Sequence, residues 1–206
     1  MKTFSLVTVF PALILFLSLS LAAAGGQTDA DRHERFMRQT FDLAISAGKN
    51  GNHTFGALLV HDGKVLMTAE NTIYTDENST HHAETNLMAR ARKTFPPEML
   101  KESVLYTSAA PCMSCCSAIW YTNIKEVVYG VSYEAFSKVT GMKDKSIPCD
   151  RLYHHTDTKL EWVGPVLEKE GLKVFCCWPQ DKFRSSILKN LEGCESMEAR
   201  CRPGRD

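Results

Sequence analysis

Ser103-Val104-Leu105-Tyr106-Thr107 leads within a few residues to Pro111-Cys112-Met113-Ser114-Cys115, and this junction decides the fold. The first five residues carry enough apolar, β-branched and aromatic side chains to read as a buried strand. Pro111 suits the first turn of a helix, where its missing N–H has no intrahelical partner to lose, and that helix is expected to run to about Tyr121. Residues 126–131 form the next apolar run, so strand, helix and strand follow one another. Upstream, His82 opens a stretch rich in Ala, Met and Arg, good helix formers, which reaches Lys93 before Pro96-Pro97 forbids continuation.

Further out the same alternation continues. Phe36, Met37, Thr40, Phe41 and Ala44 recur at three- and four-residue spacing and mark a helix. His61-Asp62-Gly63 separates two apolar runs, residues 55–60 and 64–69, as a hairpin turn would. The order α-β-β-α-β-α-β favours a layered α/β sheet. Residues 160–163 and 172–177 read as two further strands, and Phe183, Ile187 and Leu191 as a terminal helix.

Twenty-four Lys and Arg balance twenty-four Asp and Glu among 206 residues, so no single-sign field draws the chain onto a polyphosphate backbone, and nucleic acid is not the expected partner. A content of 44% apolar and 23% charged residues argues against disorder and coiled coil. Lys2, an apolar stretch over residues 6–21 and Ala22-Ala23-Ala24 read as a secretory signal peptide, with an uncleaved anchor as the alternative. The expected partition is a leader over residues 1–24, one domain over 25–192 and a polar tail over 193–206. The mature chain is expected to be secreted or in the secretory lumen, free of membrane. Eight cysteines are an even number that an oxidising compartment permits to pair. Cys194 and Cys201 are candidate partners, whereas adjacent Cys176 and Cys177 on a strand would point to opposite faces. Asn52-His53-Thr54 and Asn78-Ser79-Thr80 are glycosylation acceptor patterns.

Cys112 and Cys115, three apart on a helix, project to one side. Two thiolates can then meet one cation, and His82 at the start of the neighbouring helix supplies a nitrogen. Two sulfurs and one nitrogen leave a tetrahedral position open, which separates a catalytic zinc from a structural one. Water there is acidified to a pKa of roughly 7. Glu84, two residues beyond His82, is placed to move its proton without being a ligand. A lone Cys-x-x-Cys in a secreted chain reads more simply as a disulfide or redox pair, but the coupled His-x-Glu overrides that reading. Zn2+ is the expected cofactor, with His82, Cys112 and Cys115 as ligands and Glu84 as the catalytic residue.

This pairing of His-x-Glu with Pro-Cys-x-x-Cys resembles the cytidine and deoxycytidylate deaminase superfamily. Over residues 35–178 the chain is most similar to the branch of guanine deaminases, tRNA adenosine deaminases and related nucleoside deaminases. Phe55-Gly56-Ala57 resembles that branch's first core strand, and Leu105-Tyr106-Thr107-Ser108 with Ala118-Ile119 frames the cysteines in the same way. Residues 150–169, including Val163-Gly164-Pro165-Val166-Leu167, resemble a segment found in many nucleoside deaminases. The resemblance implies an α/β class protein with a three-layer α/β/α cytidine deaminase-like fold around a central five-stranded mixed sheet. It also implies a homodimer, with substrate contacts at Asn71, Phe55 and Tyr121. The implied reaction is zinc-dependent hydrolytic deamination of a small nucleobase or nucleoside, guanine or guanosine favoured, with release of ammonia.

Ala110, Thr54 and His81 stand where the branch usually has a glutamate, a proline and a small residue. All three border the expected pocket, so the reaction type carries over more firmly than the substrate. Cytosine or cytidine deamination, tRNA adenosine deamination, and a non-catalytic secreted protein that holds zinc and a base are the competing readings. His154 and His155 read as solvated loop residues or as a cap over the site, and Trp120 as core or as a base-stacking neighbour of Tyr121.

Overall fold

Asp62 and Gly63 both take positive φ, 48° and 70°, as a two-residue hairpin requires if it is to follow the twist of its strands. In this computed structural model, which describes residues 28–142 and 147–202, they join β1 (Gly56–His61) to β2 (Lys64–Glu70). The expected leader over residues 1–24 lies outside the described residues. β1 runs antiparallel both to β2 and to β3 (Val104–Ala109). β4 (Glu126–Val131) is parallel to β3, and β5 (Glu161–Val163) to β4, so the order is β2-β1-β3-β4-β5 in one mixed five-stranded sheet. Parallel neighbours need a crossover, and α4 (Met113–Thr122) lies on the one between β3 and β4.

Five of the six residues in each of β1, β3 and β4 are buried. Burial on both faces is why these strands read as continuous apolar runs rather than alternating ones. The alternation reappears as two cores. Leu58, Tyr106 and Val128 pack with Phe36, Met37 and Phe41 of α1 (Asp29–Lys49). Leu59, Leu105 and Val127 pack with Leu87, Met88 and Ala91 of α2 (Ala83–Thr94) and Ile119 of α4. Helices therefore cover both faces, and the three-layer α/β/α arrangement is the one expected. Thr28 fixes where α1 starts: its side chain accepts from the Asp31 amide while the Asp31 carboxylate accepts from the Thr28 amide, a reciprocal cap.

Short helices make up most of what the sequence reading lacked: α3 (Pro97–Lys101), α5 (Tyr133–Thr140), α6 (Cys149–Tyr153) and α7 (Glu168–Leu172). Pro97 begins α3, so the proline pair ends one helix and starts the next. The expected terminal helix is α8 (Arg184–Asn190). Residues 172–177 are a correction. Instead of a strand, Lys173–Cys177 forms a 3-10 turn with Val174, Phe175, Cys176 and Cys177 all buried. A short apolar run satisfies either conformation, and here β5 holds the place beside β4.

With about three residues per turn, adjacent cysteines in this turn need not point to opposite faces. Cys176 bonds to Cys194, and Cys177 to Cys201 at the end of α9 (Glu198–Cys201). The pairing expected between Cys194 and Cys201 is therefore not formed. A third bridge, Cys116 to Cys149, ties α4 to α6. Ala109 and Val131, at the carboxyl ends of β3 and β4, open onto a cavity, the usual place for a site in an α/β sheet.

Candidate active site

His82 is the N-cap of α2 and Cys112 the N-cap of α4, with Glu84 and Cys115 in the first turns of those helices. Pro111 stands just before the Cys112 cap rather than in the helix's first turn as expected, and the Cys112 sulfur lies against Ser114 and Cys115 of that turn. The two helices pack side by side, and Leu87 of α2 and Ile119 of α4 share one core. Both therefore bring their positive ends to one place, which favours thiolates there. His82 Nδ1 lies 3.5 Å from the sulfur of Cys112 and 3.5 Å from that of Cys115, and the sulfurs are 3.5 Å apart.

A tetrahedral zinc with Zn–S of about 2.3 Å and Zn–N of about 2.0 Å needs ligand atoms roughly 3.5–3.8 Å apart. The triangle fits one zinc ion as it stands. Among the described residues no fourth His, Cys, Asp or Glu joins the cluster, so the protein supplies three ligands and leaves the remaining position open. The donor chemistry agrees. Contact with Cys115 holds the Cys112 thiol well below its ordinary range, while contact with Cys112 and burial push Cys115 up, and the bond to Cys112 raises His82. Two crowded sulfurs that cannot both ionise easily alone are what a divalent cation relieves.

Glu84 is buried beside this triangle. Its Oε1 accepts a hydrogen bond from Thr107 Oγ1 at 2.9 Å, and its Oε2 lies 3.5 Å from Cys115 Sγ. Burial, and then the nearby Cys112, raise its carboxyl above the usual range, the condition of a group that must hold and release a proton. His82, Glu84 and Cys112 line a cavity of about 260 Å³ whose remaining wall is largely aromatic and apolar, including Phe55, Phe136, Met142 and Trp178.

A profile described as the cytidine and deoxycytidylate deaminase zinc-binding region matches residues 30–131. A probable cytosine deaminase of Schizosaccharomyces pombe is 32% identical over 145 residues, 66% of this chain and 86% of that protein. The chain belongs to the cytidine and deoxycytidylate deaminase family. Guanine deaminase of Bacillus subtilis is 34% identical over 104 residues, 49% of this deaminase and 65% of that one. A solved structure from work on A-to-I editing by tRNA:A34 deaminases shares the fold, with a TM-score of 0.55 at 24% identity, covering 68% of this deaminase and 98% of that chain. The family are zinc-dependent hydrolytic deaminases, and His82, Cys112 and Cys115 are the residues of this deaminase that would hold the zinc.

The other expected contacts divide. Phe55 lines the cavity. Asn71 is 1% exposed; its Oδ1 accepts from the Ile73 amide, and its Nδ2 is a buried donor with no partner. Tyr121 does not reach the site of its own chain: it is 76% exposed at the end of α4 and packs edge-on against Trp120. His81 bonds to Asp76 and Asn78 on the surface, and His154 and His155 lie away from the cavity on a separate surface hollow. Sequence reasoning missed His53, Phe136, Met142 and Trp178. No local pattern links residue 53 to residue 178, and the stacking of their rings depends on a C-terminal segment whose path the disulfides set.

Proposed function

We propose that this deaminase acts on a free purine base or its nucleoside, with guanine or guanosine favoured. The cavity carries this reading. At about 260 Å³ it falls just under the roughly 300–1,000 Å³ of sites for drug-sized ligands, and its aromatic wall suits one flat heterocycle. The guanine deaminase relative supports a purine; the relative named a probable cytosine deaminase makes cytosine the second reading. A tRNA substrate has less support, because a chain with twenty-four charges of each sign offers phosphates little net attraction.

Bound zinc would supply Lewis-acid activation of water against the ring carbon that bears the amine. Glu84 takes a proton from the attacking water and passes it to a ring nitrogen. It then delivers the second proton to the departing amine, so the water oxygen remains as a carbonyl and ammonia leaves. Thr107 fixes one Glu84 oxygen by its hydrogen bond, and Asn71, whose Nδ2 is buried without a partner and which is not among the residues that line the cavity, is the candidate donor to an acceptor on the substrate. The zinc-loaded chain is tested for ammonia release on guanine, guanosine, adenine, adenosine, cytosine and cytidine. Turnover of guanine or guanosine above the others is expected. Turnover of cytosine or cytidine alone transfers the assignment to pyrimidines, and bound zinc with a tightly held base but no ammonia identifies a binding protein instead.

We also propose that the chain enters the secretory pathway, cut after Ala24. Three disulfides support this, since such bonds persist in oxidising compartments. The two acceptor tripeptides then differ. Asn52 is 2% exposed, and its side chain bonds the Tyr74 and Thr75 amides and the Thr75 hydroxyl. Asn78 is only half-buried, and its Oδ1 accepts from the Thr80 hydroxyl of its own tripeptide at 2.7 Å. Expressed with its own N-terminus in eukaryotic cells, the protein should appear in the medium with sugar on Asn78 and none on Asn52. Peptide mapping that finds an intact leader on a cytosolic chain overturns the assignment.

A further inference from the structure

His53, Tyr74, Trp178 and Asp181 come from three separate segments and meet in one cluster, of which His53 and Trp178 line the cavity and Tyr74 and Asp181 line a neighbouring hollow. The His53 ring stacks on Trp178 with centroids 4.3 Å apart and 24° between planes. Its Nε2 lies 3.0 Å from Asp181 Oδ2. The same carboxylate accepts the Trp178 indole N–H at 3.0 Å, the Tyr74 hydroxyl at 3.2 Å and the Phe183 amide at 2.8 Å. A carboxylate so engaged is ionised and has no hydrogen to offer, so Nε2 of His53 carries the ring proton and Nδ1 presents a lone pair. Among the described residues no hydrogen bond reaches Nδ1. His53 shares the cavity with His82 and Glu84, and burial lowers its affinity for a second proton.

We propose that His53 is a substrate-binding residue whose Nδ1 accepts a hydrogen bond from an N–H or O–H of the aminated heterocycle, with Asp181 and Trp178 as the residues that position it. This rests on the deaminase reading above and deepens it. The recognised group is a hydrogen-bond donor other than the amine being replaced: a ring N–H in a free base, a sugar hydroxyl in a nucleoside. The rest of the wall is largely apolar, so one acceptor among Phe55, Val131, Phe136 and Met142 orients the ring. A ligand lacking the hydrogen leaves that acceptor unpaired on burial, which is how such sites discriminate.

A purely structural role is the alternative, since the bond to Asp181 also ties the loop before β1 to the C-terminal segment. Two substitutions separate the roles. In His53→Asn the amide falls near the position of Nδ1, keeping an acceptor for substrate but losing Asp181. In His53→Gln the amide reaches toward the position of Nε2, keeping Asp181 but losing the acceptor. KM and kcat are measured on the zinc-loaded full chain with guanine, guanosine, cytosine and cytidine. His53→Gln is expected to raise KM about tenfold with little change in kcat, and His53→Asn to stay within about threefold. An effect on the free bases alone identifies the ring N–H as donor, and one on the nucleosides alone the sugar hydroxyl. The reverse order, or equal KM for all three proteins, overturns the proposal and leaves the deaminase reading standing. If the wild-type chain turns over none of the four, the substrate reading fails and this proposal with it. Nitrogen-15 NMR of the substrate-free, zinc-loaded protein gives an independent result: protonation at Nε2 is expected, and protonation at Nδ1 overturns the proposal whatever the substrate.

Discussion

Replacing Glu84 by Gln should lower ammonia release by about 10²–10⁴-fold, the usual range for loss of a positioned acid or base, while zinc content stays at one ion per chain. The amide has the carboxylate's shape, and its oxygen still accepts the Thr107 hydroxyl that now bonds Oε1 at 2.9 Å. It cannot take a proton. The three ligand atoms belong to His82, Cys112 and Cys115, and none of their mutual contacts passes through Glu84. Metal analysis and an ammonia assay on the same preparation separate the two effects. Parent-like turnover in the variant would mean that some other group moves the protons and that the assignment of Glu84 is wrong. Loss of zinc together with activity would instead make the carboxylate part of the metal's support.

The reacting centre was legible because its chemistry is written in two short local patterns. His82-Ala83-Glu84 and Pro111-Cys112-Met113-Ser114-Cys115 each sit where a helix starts, and helix starts carry their own sequence marks. The strands were legible for a related reason: burial on both faces makes β1, β3 and β4 into apolar runs that no turn of helix interrupts. The substrate wall was not. His53 reads as the middle of a glycosylation tripeptide, yet it stacks on Trp178, 125 positions further on. Residues 172–177 read as a strand because four of them in a row, Val174 to Cys177, are apolar and buried, and burial does not distinguish a strand from a 3-10 turn over so few residues. Tyr121, which the resemblance gives as a substrate contact, stands at the exposed end of α4 because that helix runs away from the site of its own chain.

Removing one C-terminal bridge, by Cys177→Ser together with Cys201→Ser, should weaken the fold and loosen the substrate wall without disturbing zinc. The bridge spans 24 residues, which by chain entropy alone corresponds to about 3 kcal/mol. Cys176 and Cys194 remain joined, however, and they already shorten the path between residues 177 and 201. The expected loss is therefore nearer to 2 kcal/mol, or roughly 4–8 °C in melting temperature for a chain of this size. The consequence for function follows from position. Trp178 is the next residue after Cys177, and Asp181, three further on, holds both the Trp178 indole and His53. Freeing this segment should raise KM more than it lowers kcat, because Glu84 and the ligand triangle stand on α2 and α4, and Thr107, which holds Glu84, on β3, none of which the bridge joins. Denaturant midpoint, zinc content and steady-state constants measured together give the test. An unchanged midpoint would mean that the bridge does not constrain the folded chain, and a drop in zinc content at unchanged KM would show that the C-terminal segment supports the metal rather than the substrate.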